Sequence, residues 1–404
     1  MKTSMSHSSN SPTLAVMRRE FGRIAERKAV YTLMIIVPLI VFFLVSYIYR
    51  DRVVVDIPVG VCDLDNSQLS RTVVRAVEST RSMAISGRVS SVEDIKNEMR
   101  KGVIQGAFYI PEDFERDVKS GKPATIVVYK NTANLIIGNL ILKDAGTISQ
   151  TVSVGVLKNK LQASGLSPDQ ALVRANPITI DSHSLFNPGY NYAIFLPPAI
   201  IMVLLQMLVM ILAVVVINGE INDGTLADLF QTANGKVSAV LLGKTLAHVA
   251  IHSTTGLGVL VMLFPLFGIP IRGSMLLAIP FMVYFIAASF LPGLVISCMF
   301  TNKFTATDIA AFYNSPAFLF SGYTFPIWAM PALHRCYAQV LPFTHFLSGF
   351  LKIYQYNAPL TALLPDIGAL SVFIVGSLVA AAALLKYRVR QMAISPSGRP
   401  EVIS

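Results

Sequence analysis

The stretch that decides the fold is YAIFLPPAIIMVLLQMLVMILAVVVI, residues 192–217. It holds no charged side chain, and no Asp, Glu, Lys or Arg occurs anywhere between Asp181 and Glu220. About 20 apolar residues are enough for a helix to cross the hydrocarbon core of a bilayer. Two further charge-free gaps exceed that length, residues 245–271 and 273–302. The sequence therefore predicts a polytopic α-helical membrane protein.

The composition points the same way. Of the 404 residues, 53% are hydrophobic and only 14% are charged, and the mean hydropathy is +0.58. Soluble domains usually carry about 25% charged residues. This balance excludes a soluble enzyme, a disordered tail and a secreted disulfide scaffold. The cysteines Cys62, Cys298 and Cys336 are too few and too scattered for a disulfide framework or a metal site.

The net charge of +10 is concentrated beside the first and last apolar runs. These flanking basic residues are Arg18, Arg19, Arg23, Arg27, Lys28, Lys386, Arg388 and Arg390. Basic residues that flank membrane spans stay in the cytoplasm. We therefore expect both termini to be cytoplasmic, in a bacterial inner membrane, and we do not expect nucleic acid as a partner.

Six spans are expected, at residues 30–49, 192–217, 246–267, 275–300, 304–323 and 367–385. The first is too long for a signal sequence and lacks a small-residue cleavage site, so it is interpreted as an uncleaved anchor. Residues 324–365 are apolar but contain five prolines, which favours a re-entrant hairpin on the outer side. A seventh and an eighth span are the alternative.

The predicted organisation follows from these spans. A cytoplasmic amphipathic helix at 1–29 leads into a first span at 30–49 and an extracytoplasmic domain at 50–190. A five-helix membrane domain follows at 191–387, with a cytoplasmic loop at 218–243 and a re-entrant segment at 324–365. The cytoplasmic tail is 388–404. Alternating strand and helix patterns predict that 50–190 is an inserted α/β domain. Asp63 and Asp65 are either paired carboxylates or, as we favour, part of a capped turn. The sequence has no GxSxG or HExxH motif, so no catalytic residue or metal ligand is expected.

The cytoplasmic loop contains one amphipathic signal. Thr225 and Asp228 have the spacing of a capping box, and Leu226, Leu229 and Phe230 share one face of the short helix that would follow. Such a helix docks into a partner's groove or lies on the bilayer; the alternative is an ordinary connecting turn.

Two other patterns in this part of the chain resemble functional sites. Gly243-Lys-Thr resembles the end of a phosphate-binding loop, but the glycine required five residues earlier is Ser238. We therefore expect no nucleotide site in this chain. Lys244, His248 and His252 form one helical stripe, without the carboxylate companions of a metal site. Together with Gln206 and Asp308, the two histidines are candidates for a transport path, or simply residues at an interface.

Several segments together resemble one family, the permease subunits of ATP-binding-cassette type-2 exporters that carry a large extracytoplasmic loop after the first span. The segments are residues 18–28 leading into Pro38, IPVGVCDLDNSQLSRTVVRAV (57–77), GVIQGAFYIPEDFERDVKSGKPATI (102–126), GEINDGTLADLFQTANGKVSAVLLGKTL (219–246) and FLFSGYTFPIWAMP (318–331). They occur in the family's order over almost the whole chain. The loop departs from the family in carrying less charge around its Glu and no Pro at 232–234.

This resemblance implies a mechanism and a set of partners. Two permease copies or paralogues would pair, and separate cytoplasmic ATPase subunits would use ATP, so that this chain binds no cofactor and is not itself an enzyme. The implied ATPase-coupling residues are Glu220, Asp223, Gly224, Thr225, Leu226, Leu229 and Phe230. We expect Glu220 to pair with a basic group and Leu226, Leu229 and Phe230 to form the apolar contact. Membrane lipid and a periplasmic adaptor are the other expected partners.

The sequence does not identify the substrate; the cargo that we expect is an amphipathic or lipid-like compound, or a drug. A membrane-anchored sensor or scaffold, with a ligand-binding extracytoplasmic domain, is the alternative function. An ion-coupled transporter would instead predict inverted repeats and acidic residues at mid-membrane depth, which the sequence lacks apart from Asp308.

Overall fold

The computed structural model describes residues 11–26, 29, 32–50, 54–176, 185–187 and 190–394. The chain divides into two compact units. The sheet unit is Asp51–Tyr192, and the helical unit joins Met1–Arg50 to Ala193–Ser404. Arg27, Lys28, the start of the first predicted span at Val30 and the tail beyond residue 394 lie outside the described residues.

The elements follow one another in three blocks. The chain begins with α1 (Pro12–Glu26), a π turn (Thr32–Ile36) and α2 (Val37–Ile48). The sheet unit contains β1 (Ile57–Asp63), α3 (Gln68–Glu78), β2 (Met83–Arg88), α4 (Val92–Arg100), β3 (Gly106–Ile110), α5 (Phe114–Ser120), β4 (Val127–Lys130), α6 (Leu135–Ala163) and α7 (Pro168–Ala175). The helical unit resumes with α8 (Tyr192–Asn222), α9 (Leu226–Thr232), α10 (Val237–Val261), α11 (Met275–Met299), α12 (Lys303–Asn314), α13 (Ala317–Phe320), α14 (Ala332–Gln339), α15 (Pro342–Tyr354) and α16 (Leu364–Ile394).

Among the described residues, four helical stretches are long and apolar enough to cross a membrane. They are Tyr192–Asn222, Val237–Leu266, Met275–Met299 and Leu360–Gln391, and they coincide with four of the predicted spans. The π turn and α2 form a shorter apolar helix, Thr32–Ile48, at the first predicted span.

The fifth predicted span, residues 304–323, is not one continuous helix, so the structure does not confirm it and six spans remain a prediction. α12 ends at Asn314, and the single turn α13 begins only after Pro316. Proline has no N–H to donate, and its ring clashes with the carbonyl four residues earlier, so a continuous helix is interrupted there. The 12 residues of α12 extend about 18 Å, well short of a bilayer core of about 30 Å.

Residues 324–363, all of them described, form only short helices. Two 3₁₀ turns, Ile327–Ala329 and Leu360–Leu363, flank α14 and α15. α15 is the longest, with 13 residues, or about 20 Å. This length argues against two further spans in the segment. The re-entrant path of this hairpin remains a prediction.

A proline pair near the start of α8 explains how this end of the bundle is held. Pro198 has no N–H to bond to the carbonyl of Ile194, which lies four residues earlier. The hydroxyl of Tyr354 donates to that carbonyl at 3.2 Å, and Tyr323 donates to the next carbonyl, that of Phe195. The Tyr354 side chain therefore replaces the backbone hydrogen bond that Pro198 cannot make within α8, and Tyr323 adds a hydrogen bond at the next carbonyl.

The sheet unit is built around four strands in the order β2-β1-β3-β4. β1 is parallel to β2 and to β3, whereas β4 is antiparallel to β3. One face packs on α3 and α6 through Val73, Val77 and Ile141. The other face packs on α4 through Ile95. Helices thus cover both faces, as the sequence pattern in this region indicated.

The Asp63 turn is a capped turn, as we favoured. One oxygen of the Asp63 carboxylate accepts the backbone N–H groups of Asp65 and Asn66 at 3.1 and 3.0 Å, and the other accepts the Ser70 hydroxyl at 2.8 Å. Ser67 caps α3. Among the residues with described positions, no group of three or more His, Cys, Asp and Glu side chains could hold a metal ion.

One glycine allows two long apolar helices, α8 and α11, to approach each other closely. A Cβ at Gly293 of α11 would lie 2.6 Å from the carbonyl oxygen of Met210 in α8, whereas a Cβ at Gly376 of α16 would meet nothing within 4 Å. We expect Gly293→Ala to destabilise the protein by about 1–3 kcal/mol, because the backbones must separate. Gly376→Ala should be neutral or stabilising, since alanine favours a helix by about 1 kcal/mol.

The measurement is the thermal midpoint of each purified variant in detergent, followed by size-exclusion chromatography. Equal midpoints for Gly293→Ala and Gly376→Ala would contradict this account of the packing.

Candidate functional site

A buried cluster of charged side chains joins three elements of the helical unit. The charged cluster consists of Arg19, Glu20 and Arg23 of α1, Glu220 of α8, Thr225 after it, and Lys244 and His248 of α10. Glu220 and Lys244 have no solvent exposure. Isolated buried charges are costly, so charged residues are almost never fully buried unless they are paired. Two fully buried charges with several partners each make this cluster the candidate functional site.

α1 reaches the cluster because its sequence has two faces. Val16, Glu20 and Ile24 recur at intervals of four and are its buried residues, since that spacing places side chains on one side of a helix. The buried face packs on α10 at Gly243, where a Cβ would lie 2.6 Å from the Cβ of Val16. Only a residue without a side chain permits this approach.

Glu220 is the centre of the cluster. Arg19 donates to both of its carboxylate oxygens at 2.7 and 3.1 Å, Lys244 donates at 2.8 Å, and Arg23 also pairs with it. Two-point binding of a carboxylate by arginine fixes the orientation of both groups. The expectation that Glu220 pairs with a basic group is therefore met by three of them.

The Thr225 hydroxyl also forms a hydrogen bond with Glu220. It donates to the second carboxylate oxygen, and Thr225 begins α9 without a side-chain capping bond. The predicted capping box with Asp228 is therefore wrong: Thr225 has φ of −97° and ψ of 8° rather than the extended backbone of a capping residue, and its oxygen accepts no hydrogen bond from the start of α9.

Glu20 bridges the two basic groups of α10. Its carboxylate pairs with Lys244 through one oxygen and lies 3.0 Å from Nε2 of His248 through the other. Burial raises the pKa of Glu20, but the hydrogen bond from His248 and the charge of Lys244 outweigh it and lower the pKa from 4.5 to about 2. A lowered carboxyl pKa means that ionised Glu20 stabilises the fold. That contribution is complete above pH 4.5 and is lost as the pH falls towards 2.

The sequence analysis did not identify Glu20 as a site residue, and it did not predict that Lys244 is buried within a long helix. The third span was expected to begin at residue 246, whereas α10 begins at Val237, nine residues earlier, so that Lys244 lies inside the helix. The available signal was Glu20 itself, because it is the first acidic residue of the chain, set directly beside Arg18 and Arg19.

The loop between α8 and α10 is held by the protein's own core. Leu226 and Leu229 of α9 are buried and Phe230 is partly buried against them. The prediction that these leucines form the apolar contact with a partner is therefore wrong, because their face of α9 is used internally. The exposed face of α9 presents Ala227, Asp228 and Gln231 instead.

The remaining coupling residues lie at the turn before α9. Asp223 pairs with Arg23 and, at 3.7 Å, with Lys303. Gly224 has φ of +71°, a left-handed conformation that glycine adopts without a steric penalty. This turn brings Thr225 back over Glu220.

Of the four candidates for a transport path, the structure brings together His248 and His252 but not Gln206 or Asp308. Gln206 donates to Asn314 at 2.9 Å, His248 belongs to the charged cluster, and Asp308 is exposed on α12. His252 is fully buried and stacks near His248, and its ring nitrogens have no hydrogen-bond partner in the part of the chain that the structure describes. Their role in transport remains a prediction.

Gly243-Lys-Thr has a structural role that differs from phosphate binding. Gly243 allows α1 to approach α10, and Lys244 is bonded to Glu20 and Glu220. The motif lies within a continuous helix rather than in a loop after a strand.

Comparison with known proteins identifies the family. The family model described as "ABC-2 family transporter protein" matches residues 28–383, most of the chain. The chain belongs to the ABC-2 transporter family. This transporter is also 23% identical over 360 residues to the probable multidrug ABC transporter permease YbhS of Escherichia coli strain K12, covering 84% of this chain and 87% of that protein. The same protein of Escherichia coli O157:H7 matches equally.

Family membership fits what the helices and the sequence indicate. The ABC-2 component is the membrane-spanning part of the transporter rather than its ATPase. The apolar helices α8, α10, α11 and α16 accord with such a membrane protein, and the family implies a partner with an ATP-binding cassette.

Removing the central cation tests the charged cluster. We expect Lys244→Met to destabilise this transporter by about 3–5 kcal/mol, because it leaves Glu20 and Glu220 with less compensation for their burial. The matched control is Lys303→Met, which removes a half-buried partner of Asp223 at the longer distance of 3.7 Å and should cost about 0–1 kcal/mol.

Thermal midpoints in detergent measure both effects. Adding Glu20→Gln to Lys244→Met should cost less than the sum of the two single changes, because the groups share one network. Additive effects would contradict the coupling of these charges.

Proposed function

We propose that this chain is the permease subunit of an ATP-driven exporter, and that a separate cytoplasmic ATPase acts on the loop between α8 and α10. Family membership implies the ATP-binding-cassette partner. The observation that carries the rest is the charged cluster, since it ties the exposed helix α9 to two long apolar helices at once. A partner bound to α9 would therefore act on both helices.

The coupling mechanism follows from the contacts of Glu220. This carboxylate lies at the end of α8, holds the Thr225 hydroxyl at the start of α9, and bonds to Lys244 of α10. A displacement of α9 by the ATPase would pull on these bonds and shift α8 and α10 together, with α1 moving through Arg19 and Glu20. Such a shift would bias two alternative helix packings, one closed and one open to the outside.

The orientation is supported by where basic residues gather. Asn218 donates to the Phe300 carbonyl at 2.6 Å and Asn222 donates to the Thr301 carbonyl at 2.9 Å, so the end of α8 meets the turn after α11. Arg388 of α16 bonds to carbonyls at the same turn. The cluster's arginines and Arg388 thus share one end of the bundle, which the positive-inside rule assigns to the cytoplasm.

In this proposed orientation both termini would lie in the cytoplasm and the sheet unit outside, in a bacterial inner membrane. Two copies, or one copy and a paralogue, would form the transport path, and the sheet unit would contact an adaptor or gate release. The proposed cargo is an amphipathic or lipid-like compound, or a drug. The relative's name, a probable multidrug permease, supports that class.

The first experiment is purification of the tagged full-length chain from native membranes in mild detergent, with an assay for vanadate-sensitive ATP hydrolysis. We expect an ATP-binding-cassette subunit to co-purify with activity. Absence of any ATPase across several detergents would contradict the proposal.

The docking surface is tested by charge on the exposed face of α9. We expect the double change Ala227→Arg and Gln231→Arg to lower the co-purifying ATPase activity about tenfold, equivalent to roughly 1.4 kcal/mol of lost contact. Both side chains are exposed, so the thermal midpoint of the permease should not change.

The matched control is Ala332→Arg, an exposed position on α14 that should leave ATPase recovery unaltered. Full ATPase activity in the α9 variant, with a normal midpoint, would remove α9 from the docking surface.

A further inference from the structure

A second site lies at the opposite end of the bundle from the charged cluster. Tyr323 and Tyr354 bond to the carbonyls of Phe195 and Ile194 at the start of α8. Glu220 is 25 residues further along the same helix, a distance of about 38 Å at 1.5 Å per residue. A site near these tyrosines is therefore separated from the charged cluster by about the thickness of a membrane.

The site is a cavity of about 460 Å³ between the segment 321–328, α15 and the start of α16. This volume falls in the range of small-molecule sites, about 300–1,000 Å³. Its aromatic wall is formed by Tyr323, Trp328 and Tyr356. Tyr323 is fixed there by its hydrogen bond and by stacking on Phe195 at a centroid distance of 4.8 Å.

A polar stripe of α15 forms the opposing wall. Thr344, Ser348 and Lys352 recur at intervals of four and all line the cavity, whereas Phe343, Phe346 and Phe350 of the same helix are buried in the core. These side chains give one face of α15 three hydrogen-bond donors beside the cavity. They define a surface that favours an oxygen-rich group.

Two of these donors have hydrogen-bonding capacity that the protein itself does not use. The Lys352 ammonium donates to Asp366 at 2.6 Å and to the Ala362 carbonyl at 3.1 Å, and an ammonium has three hydrogens to donate. Thr344 is only 4% exposed, and within the described chain its hydroxyl oxygen has no hydrogen-bond partner. Buried hydroxyls are normally paired, so each unpaired one requires an explanation.

We propose that this cavity binds the head group of an amphiphile rich in hydrogen-bond acceptors. Thr344, Ser348 and Lys352 donate to the oxygens of the head group, and Tyr323, Trp328 and Tyr356 contact the adjoining apolar part. Asp366 neutralises Lys352 when the cavity holds no ligand. The Thr344 hydroxyl is closed off from solvent in the unliganded protein, and rotation of this side chain towards the cavity lets a head-group oxygen supply the acceptor that it lacks.

Such an amphiphile has two sources, a membrane phospholipid or a transported compound. Only the second source rests on the proposed export function. Binding itself requires neither ATP nor an ATPase, so a failure of the exporter assignment leaves the cavity test unaffected.

The sequence provides a built-in reporter, because Trp328 is the single tryptophan of the chain and it lines the cavity. The probe is anilinonaphthalene sulfonate, whose sulfonate supplies acceptor oxygens and whose rings accept energy from excited tryptophan. We expect saturable energy transfer in the purified full-length protein in dodecyl maltoside. Trp328→Phe should abolish the signal.

The decisive variant is Thr344→Val. It should weaken probe binding about five- to tenfold, the equivalent of one hydrogen bond, while the thermal midpoint without probe stays the same or rises, because an unpaired buried hydroxyl is removed. Thr254→Val is the matched control; its hydroxyl bonds to its own helix at the Ile251 carbonyl, and probe affinity should not change.

Dioctanoyl phosphatidylglycerol distinguishes the two sources. Displacement of the probe by this short-chain lipid supports a phospholipid site, and sensitivity to Thr344→Val without displacement supports a site for a non-lipid amphiphile. Non-saturable transfer, or equal affinity in native protein, Thr344→Val and Thr254→Val, would overturn the proposal.

Discussion

The helical unit depends on one buried carboxylate. Glu220 has no exposure to solvent, and a charge in that position is tolerated only if opposite charges come with it. Arg19 and Arg23 must therefore be brought in on α1, and Lys244 on α10. The requirement to neutralise a single side chain thus determines where the N-terminal helix docks and how the loop before α9 turns.

The contact between α1 and α10 shows how packing and charge depend on each other. The bond from Lys244 to Glu20 forms only because Gly243, the preceding residue, leaves space for Val16. The close approach of α1 to α10 brings Glu20 next to Lys244, and the pairing of these two charges compensates for their burial between the helices. Neither residue by itself indicates a contact with α1. In the sequence the Gly-Lys pair therefore only resembles a nucleotide-binding motif.

Apolar length and basic flanks were enough to predict the long helices α8, α11 and α16 and the alternating pattern of the sheet unit. Features that depend on contacts across the fold were not predictable. The face of α9 that carries Leu226 and Leu229 looks available in the sequence but is covered by the core. Thr225 has the spacing of a capping residue, yet it bonds to Glu220. The break at Pro316 was visible in the sequence, but prolines occur within α8 and α11 as well, so proline alone did not predict the interruption.

The proline pair of α8 has a consequence for how this helix can move. Over most of its length α8 is held by its own backbone bonds, which are lost only if the helix unwinds. At Ile194 the partner is the hydroxyl of Tyr354, a rotatable group that belongs to another element. That bond can be exchanged for one with a water molecule or a neighbouring side chain while the helix below stays wound. The two ends of α8 therefore differ in how firmly they are held. Ion pairs fix the Glu220 end, whereas the Ile194 end is held by a hydrogen bond that can be exchanged.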